Sequence, residues 1–265
     1  MVEFAYKSLE RGRPGTIGWR VHYFEEVGST QDVAAKLAAA GAEQGTAVIA
    51  ELQSGGRGRM GRRWHSPDGV NLYVTVIIRP RIPLSEVPCL SLVAGVAAAE
   101  ALETVAPGIV ALKWPNDVWL NGKKAGGIIA EAVSDANQGL RFVLLGIGLN
   151  LNLTLEQLPS DLRDRATSVR IETGKLCDRA AVAADLFSRL DSRYVEAQRL
   201  GFGAISPAWE RYSALTGKRV TVVSGDARDA GVVRGIDSDG ALLLEAGSQL
   251  KRIVAGDVSI EGAYG

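Results

Sequence analysis

A chain of 265 residues is long enough for one large domain, or for one domain with a small appendage. Hydrophobic residues make up 46% and charged residues 23%, a globular balance that excludes a disordered or fibrous chain. Thirty basic and thirty acidic side chains cancel, so no global polyanion-binding field exists, and two cysteines with two histidines argue against a disulfide framework or a histidine-rich metal centre.

The first residues, MVEFAYKSLERGRPG, are charged throughout and lack the apolar core of a secretion signal. Trp19 to Glu26 is rich in aromatic and β-branched residues and predicts a strand. Ser29 and Thr30 are good N-caps for a helix over Gln31 to Ala40, with Gly41 as its stop. Thr46 to Leu52 and Val70 to Arg79 predict strands on either side of a Gly/Arg segment. Pro80, Pro83 and Pro88 mark a loop before an apolar helix from Leu90 to Val105. Ile109 to Lys113 and Val118 to Leu120 read as strands around a Trp-Pro-Asn-Asp corner. Asn121-Gly122 signals a hairpin into a strand from Gly127 to Val133. A turn at Asp135 to Gly139 feeds a strand from Leu140 to Leu151. No apolar run reaches the roughly 18 residues of a membrane helix, and 142–151 is broken by Gly146, Gly148 and Asn150. Val182, Leu186, Leu190 and Tyr194 give Asp178 to Leu200 helical spacing, and a shorter helix includes Ala208 to Leu215. From Gly217 short strands alternate with Gly and Asp turns, the texture of a small β-barrel. The expected fold class is α+β, with a first domain over 1–216 and the barrel over 217–265, because hairpins outnumber βαβ alternations.

Between Gln53 and Gly69, Arg57, Arg59, Arg62 and Arg63 face Asp68 alone, a local excess of three positive charges. Gly56, Gly58 and Gly61 satisfy G-x-G-x-x-G, but Trp64 leads to His-Ser-Pro-Asp-Gly and a strand, not to the helix a dinucleotide motif must open. Like charges at this density repel, so the loop is expected to be mobile until a phosphate or carboxylate orders it. On composition alone a solvated loop or an RNA-contacting arm fits as well; Trp64, able to close over a planar ligand, favours a small-molecule site. Asn116 and Asp117 end a strand at the Lys113-Trp114-Pro115 corner, and Lys124 precedes two glycines that permit close approach of a ligand. Taken alone, that segment reads equally as a hairpin with exposed lysines, and Gly146 and Gly148 as packing features.

Together and in this order, EEVGST, Gln53, GRGRMGRRW, KWPNDVWLNGKKAGGIIAE and GIGLNLN resemble the biotin–protein ligase family, also called biotin–[acetyl-CoA-carboxylase] ligase. The tail is similar in texture to that family's SH3-like domain. The resemblance implies an enzyme that activates biotin with ATP and Mg2+ and transfers it to a lysine of a biotin carboxyl carrier domain. It implies biotin contacts from Ser29, Thr30, Gln53, Gly56, Arg57, Trp64, Lys124 and Gly127. It implies nucleotide contacts from Arg59, Trp64, Asn116, Asp117 and Asn150, with Lys124 and Arg59 catalytic and no dedicated metal ligands. A cytoplasmic monomer or weak homodimer without membrane attachment is expected. Two dozen residues precede Glu25, too few for a winged helix, so specific DNA binding is not expected. A lipoate or octanoate ligase lacks the GRGRxGRxW loop. A nucleic-acid module or SH3-like adaptor fits poorly, since residues 217–265 hold six basic and seven acidic groups and few aromatics.

Overall fold

The computed structural model describes residues 6, 9, 10, 13–135 and 139–260. The turn expected at Asp135 to Gly139 therefore lies largely outside the described residues. The first strand, β1 (Arg20–Val27), leads into α1 (Thr30–Ala39) and returns as β2 (Thr46–Gln53), paired parallel to β1. Ser29 caps α1 by accepting from the Gln31 backbone N–H, as its position before the alanine-rich stretch predicts. Thereafter every pairing is antiparallel: β3 (Leu72–Ile78), β4 (Val110–Lys113), β5 (Asp117–Leu120), β6 (Lys123–Asp135) and β7 (Gly139–Leu149) complete one seven-stranded sheet. Its order is β1-β2-β3-β7-β6-β5-β4, which puts β7 at the centre. Asn121 and Gly122 have φ of 47° and 80°, the left-handed pair of a tight hairpin turn.

Two helices cover one face. The first, α2 (Val87–Glu103), is buried on almost all sides and packs on β4, β6 and β7. The stretch 84–103 does have the length and apolar content to cross a bilayer, against expectation, but 72% of it is buried inside the protein. A short helix, α3 (Val169–Thr173), was not signalled by the sequence. It precedes α4 (Arg179–Leu200), capped by Asp178, which lies along α2. After α5 (Ser206–Tyr212) comes a five-stranded antiparallel sheet of order β11-β10-β9-β8-β12, the SH3-like unit. Its strands are β8 (Arg219–Ser224), β9 (Ala227–Ile236), β10 (Leu242–Ala246), β11 (Gln249–Ile253) and β12 (Asp257–Ile260). The Trp114 indole donates to the Gly240 carbonyl at 2.9 Å, fastening this sheet to the Trp-Pro corner, whose 114–115 bond is cis.

The opposite face of the seven-stranded sheet carries α1. Ala34 and Ala38 pack there against Val48, Ile77, Phe142 and Leu144. Strand side chains alternate between faces, so the next two positions of β7 on this face are Gly146 and Gly148. Along β7, half of this face is therefore filled beneath α1, and half is bare backbone.

The strand end that carries Gln53 is braced from the other face. Arg179 at the start of α4 meets Glu51 at 2.6 Å and the Asn71 carbonyl at 3.2 Å, with side-chain exposures of 14% and 8% for the ion pair. Removing one partner of a pair this buried leaves an uncompensated charge. Glu51→Leu should cost about 3–5 kcal/mol in urea unfolding, and Glu51→Leu with Arg179→Met should recover most of it. A single-substitution cost under about 1 kcal/mol would contradict this account.

Candidate functional site

Three groups of residues meet above the bare half of β7. The first is uncharged. The Thr30 N–H and hydroxyl both donate to Gln53 Oε1, at 2.9 and 3.1 Å, and the Thr30 and Thr75 hydroxyls lie 2.9 Å apart. Gln53 Nε2 donates to Ser66 Oγ at 3.0 Å, which in turn donates to the Trp64 carbonyl at 3.1 Å. Gly56 is buried against this chain: a Cβ there would lie 2.6 Å from Ser66 Oγ and 2.7 Å from the Trp64 carbonyl oxygen. Only glycine fits.

The second group is cationic. Lys124, on β6, reaches Asp117 Oδ1 at 2.6 Å and stands 5.5 Å from the centre of the Trp64 ring. Lys113 is paired across from Asp117, and its ammonium lies 5.1 Å over Trp119. Burial holds Lys113 below the usual lysine range; Asp117 opposes that shift and Lys124 adds to it. Strand β6 begins at Lys123, before the Gly127 expected from sequence, with an irregularity between Val118 and Trp119. Both lysines thus lie on rigid strand rather than in a hairpin loop.

The third group is the Gly/Arg segment. It folds as a hairpin: the Trp64 N–H donates to the Gly56 carbonyl and the Gly58 N–H to the Arg62 carbonyl, with bridge pairing of Arg57 and Arg63. A single 3-10 turn, Arg59–Gly61, forms the tip, with Met60 and Gly61 at φ of 56° and 72°. The arginines do not face one another. Arg57 meets Asp32 at 2.6 Å and Glu131 at 3.2 Å, Arg59 donates to Asn116 Oδ1 at 3.1 Å, Arg62 pairs with Asp257, and Arg63 donates to the Ser54 carbonyl at 3.0 Å.

The hairpin delivers Trp64 onto the glycine floor. A Cβ at Gly148 would lie 2.6 Å from the indole nitrogen, and one at Gly127 would lie 3.1 Å from the ring and 3.4 Å from Lys124 Cε. The indole N–H is buried without an acceptor among the described residues. From Thr30 and Gln53 at β2–β3 to Lys124 on β6 the sheet crosses three strand spacings, about 14 Å. The result is a strip with a neutral hydrogen-bonding end, a flat middle of backbone and indole, and a positively charged end.

Ten of the twelve expected residues (Thr30, Gln53, Gly56, Arg57, Arg59, Trp64, Asn116, Asp117, Lys124 and Gly127) line this strip or its hairpin, and Ser29, next to Thr30, is engaged as the cap of α1. Asn150 stands apart. Its side chain accepts from Asn71 at 3.2 Å and donates to the Thr167 carbonyl at 3.0 Å, bracing strand ends in the core. Sequence reasoning missed Thr75, Ser66, Asp32, Glu131 and Gln31. Glu131 closes the KWPNDVWLNGKKAGGIIAE segment but had no assigned role, and the other four lie outside the motifs; folding brings all five to the site. Among the described residues no group of three His, Cys, Asp or Glu is gathered to hold a metal ion. Magnesium carried by a nucleotide takes its ligands largely from phosphate and water.

The three atoms nearest a Cβ at Gly148 all belong to Trp64. Gly148→Ala should therefore destabilise the protein, by about 1 kcal/mol or more. In a Trp64→Ala background the same change should become stabilising by about 0.5–1 kcal/mol, because alanine suits a strand better than glycine. Denaturant unfolding of the four proteins measures this, and additive effects would contradict it.

Comparison with known proteins shows what the chain is similar to. The Biotin/lipoate A/B protein ligase family matches residues 23–150, and the Biotin protein ligase C terminal domain matches residues 215–260. The bifunctional ligase/repressor BirA of Bacillus spizizenii is 36% identical over 244 residues, 92% of this chain and 75% of that protein. The biotin–[acetyl-CoA-carboxylase] ligase of Paracoccus denitrificans is 35% identical over 240 residues, 88% of this chain and 98% of that protein. Biotin protein ligase from Aquifex aeolicus, solved in complex with biotin and ATP, superposes with a TM-score of 0.79 at 30% identity, covering 91% of this chain and 98% of that one. With relatives aligned across both the seven-stranded sheet and the SH3-like unit, the chain belongs to the biotin protein ligase family.

Proposed function

We propose that this protein activates biotin with ATP to biotinyl-5′-AMP, releasing pyrophosphate, and transfers biotin to a lysine of a biotin carboxyl carrier domain of a carboxylase. The observation that carries this reading is the polarity of the strip. It offers hydrogen bonds to an uncharged ring at one end and a lysine to a carboxylate at the other, joined by a floor flat enough for an apolar tail. Biotin, a bicyclic urea with a five-carbon acid chain, has that order of groups.

In the first step a biotin carboxylate oxygen attacks the α-phosphorus of ATP, and the bond to the β-phosphate oxygen breaks as pyrophosphate leaves. Both reactants are anions. Lys124, and Lys113 behind it, lower that repulsion and stabilise the charge that develops on the phosphoryl oxygens. Asp117 orients Lys124 at 2.6 Å and gives it up in part as the anions arrive. Ser29, Thr30, Gln53 and Gly56 position the ring; Gly127 gives it room. Arg57 and Arg59, with Trp64, close the hairpin over the mixed anhydride, while Arg59, Asn116 and Asp117 border the nucleotide. Asn150 acts on the site indirectly, through the strand end it braces.

In the second step the acceptor lysine, as the free amine, attacks the acyl carbon. An amide forms and AMP leaves with the bonding pair. Water must be kept from the anhydride between the steps, and the hairpin supplies that cover. We further propose a domain boundary at 216/217, where the Gly217 N–H bonds Val233 of the SH3-like unit. We propose a monomer or weak homodimer acting in the cytoplasm without specific DNA contacts, which the equal count of thirty basic and thirty acidic groups supports.

Incubation with biotin, magnesium ATP and a biotin-acceptor domain should yield a product detected by streptavidin, with lipoate a poor substitute. Equal use of lipoate, or no labelling, would overturn the proposal. In the same assay Lys124→Ala should slow pyrophosphate release by about 100-fold or more while leaving the melting temperature unchanged. Near-normal release by the folded variant would remove Lys124 from the chemistry.

A further inference from the structure

Lys124 stands where the sheet runs out. Strand β7 ends at Leu149, opposite Gly126, so toward the hairpin turn β6 has no strand beside it on that side. A segment from later in the chain takes the place. The Asn150 N–H donates to the Ala125 carbonyl at 2.7 Å. Next to it, the Lys124 N–H donates to the Arg165 carbonyl at 2.9 Å, and the Thr167 N–H donates to the Lys124 carbonyl at 2.8 Å. Residues 165–167 thus bridge Lys124 in parallel, and both its backbone groups are bonded to loop atoms.

A bridge this short has no ladder of its own and needs other contacts to stay in register. Those contacts converge on Thr167, which is fully buried. Its carbonyl accepts from Asn150 Nδ2 at 3.0 Å, and its hydroxyl donates to Glu172 Oε1 at 2.6 Å. The second carboxylate oxygen of Glu172 accepts from Asn121 Nδ2, also at 2.6 Å. Asn121, at φ of 47°, turns the chain from β5 into β6, just ahead of Lys124. Glu172 therefore spans both flanks of Lys124: the turn that precedes it and the segment that backs it. Both bonds to the carboxylate are charge-assisted. The carboxylate is itself anchored, because Ser168 caps α3 by accepting from the Ile171 N–H and donates to the Leu153 carbonyl at 2.6 Å.

We infer that Glu172 is a positioning residue for the activation step. Its carboxylate clamps Asn121 to Thr167 and so fixes the backbone from which the Lys124 ammonium reaches the reacting anions. This inference rests on the biotin-activating function proposed above. Asp117 holds the far end of the lysine side chain, and Glu172 holds its origin. A displacement of roughly 1 Å at a reacting group costs on the order of 100-fold in rate, so both ends matter.

The test is pyrophosphate release and amide hydrogen exchange of Glu172→Ala and Glu172→Gln, each also made in a Lys124→Ala background. In Glu172→Ala kcat should fall about tenfold or more, while the KM for biotin stays within about threefold. The amide protons of Lys124 and Thr167 should exchange about tenfold faster, with those at the centre of β7 unchanged. Glutamine keeps the length, can accept from Asn121, and can donate to the Thr167 hydroxyl. Glu172→Gln should therefore stay within about threefold of the parent, which separates placement from a loss of charge. In the Lys124→Ala background Glu172→Ala should slow release by less than about twofold, since the group it places is gone. Thr167→Val removes only the hydroxyl, carries the same expectations, and serves if Glu172→Ala does not fold. An unchanged kcat, a loss carried by the KM for biotin, or equal losses in both backgrounds would overturn the inference. Unchanged exchange at Lys124, or a glutamine variant as slow as the alanine one, would overturn it as well. A parent protein that releases no pyrophosphate with biotin would overturn the function itself, and the exchange rates would still decide the clamp.

Discussion

The backbone of β7 passes Gly146 and Gly148 with no side chain on the face that α1 covers, and the Gln31 amide and Trp64 indole stand within 3 Å of where each Cβ would be. Two residues earlier in that same alternation, Leu144 and Phe142 fill the space under Ala34 and Ala38. The contrast makes one half of the face a core and the other half a binding floor. Glycine inside a strand costs roughly 0.5–1 kcal/mol each relative to alanine. The site returns that cost as access: aromatic and polar groups, and a ligand in their place, can lie directly on peptide planes. Gly127, paired with Gly148 on the neighbouring strand, extends the floor to the lysine end.

Charge is distributed to suit that floor. Lys124 is fixed on strand β6 by Asp117, so its ammonium is held beside the Trp64 ring rather than free to wander. The hairpin arginines are held differently. Arg57 is 40% exposed and Arg62 is 65% exposed, and ion pairs that open to water are each worth at most about 1 kcal/mol. A cover fastened by several weak exposed contacts can lift for substrate and settle again without unfolding anything. Arg62 reaches Asp257 on β12, which links the hairpin to the SH3-like unit.

Much of this was legible in the sequence wherever a local rule governs. Ser29 before an alanine-rich run gave the helix cap, Asn121-Gly122 the hairpin, and Asp178 the start of α4. The motif residues Gln53, Gly56, Trp64 and Lys124 were recognisable from their order along the chain. What could not be read depends on partners far away in sequence. The parallel pairing of β1 with β2, the acidic partners Asp32 and Glu131 of Arg57, and the Thr30–Thr75 bond all arise from strand register. Counting the arginines of the hairpin gave its charge but not the acceptors that folding brings to each. Gln31 looks like any polar residue in a first helical turn until the glycine beneath it is known.

The central claim is that biotin lies on the Gly146–Gly148 floor, beneath or in place of the Trp64 indole. The most direct measurement is the set of tryptophan indole N–H signals by nuclear magnetic resonance, assigned with Trp64→Phe and recorded as biotin is added. The Trp19 and Trp114 N–H groups donate to the carbonyls of Gln44 and Gly240 at 2.9 Å, away from the strip, and should hold their positions. The Trp64 signal, from a buried N–H without an acceptor, should move furthest and saturate with the binding curve. A Trp64 signal that stays fixed while biotin saturates the protein would contradict the account.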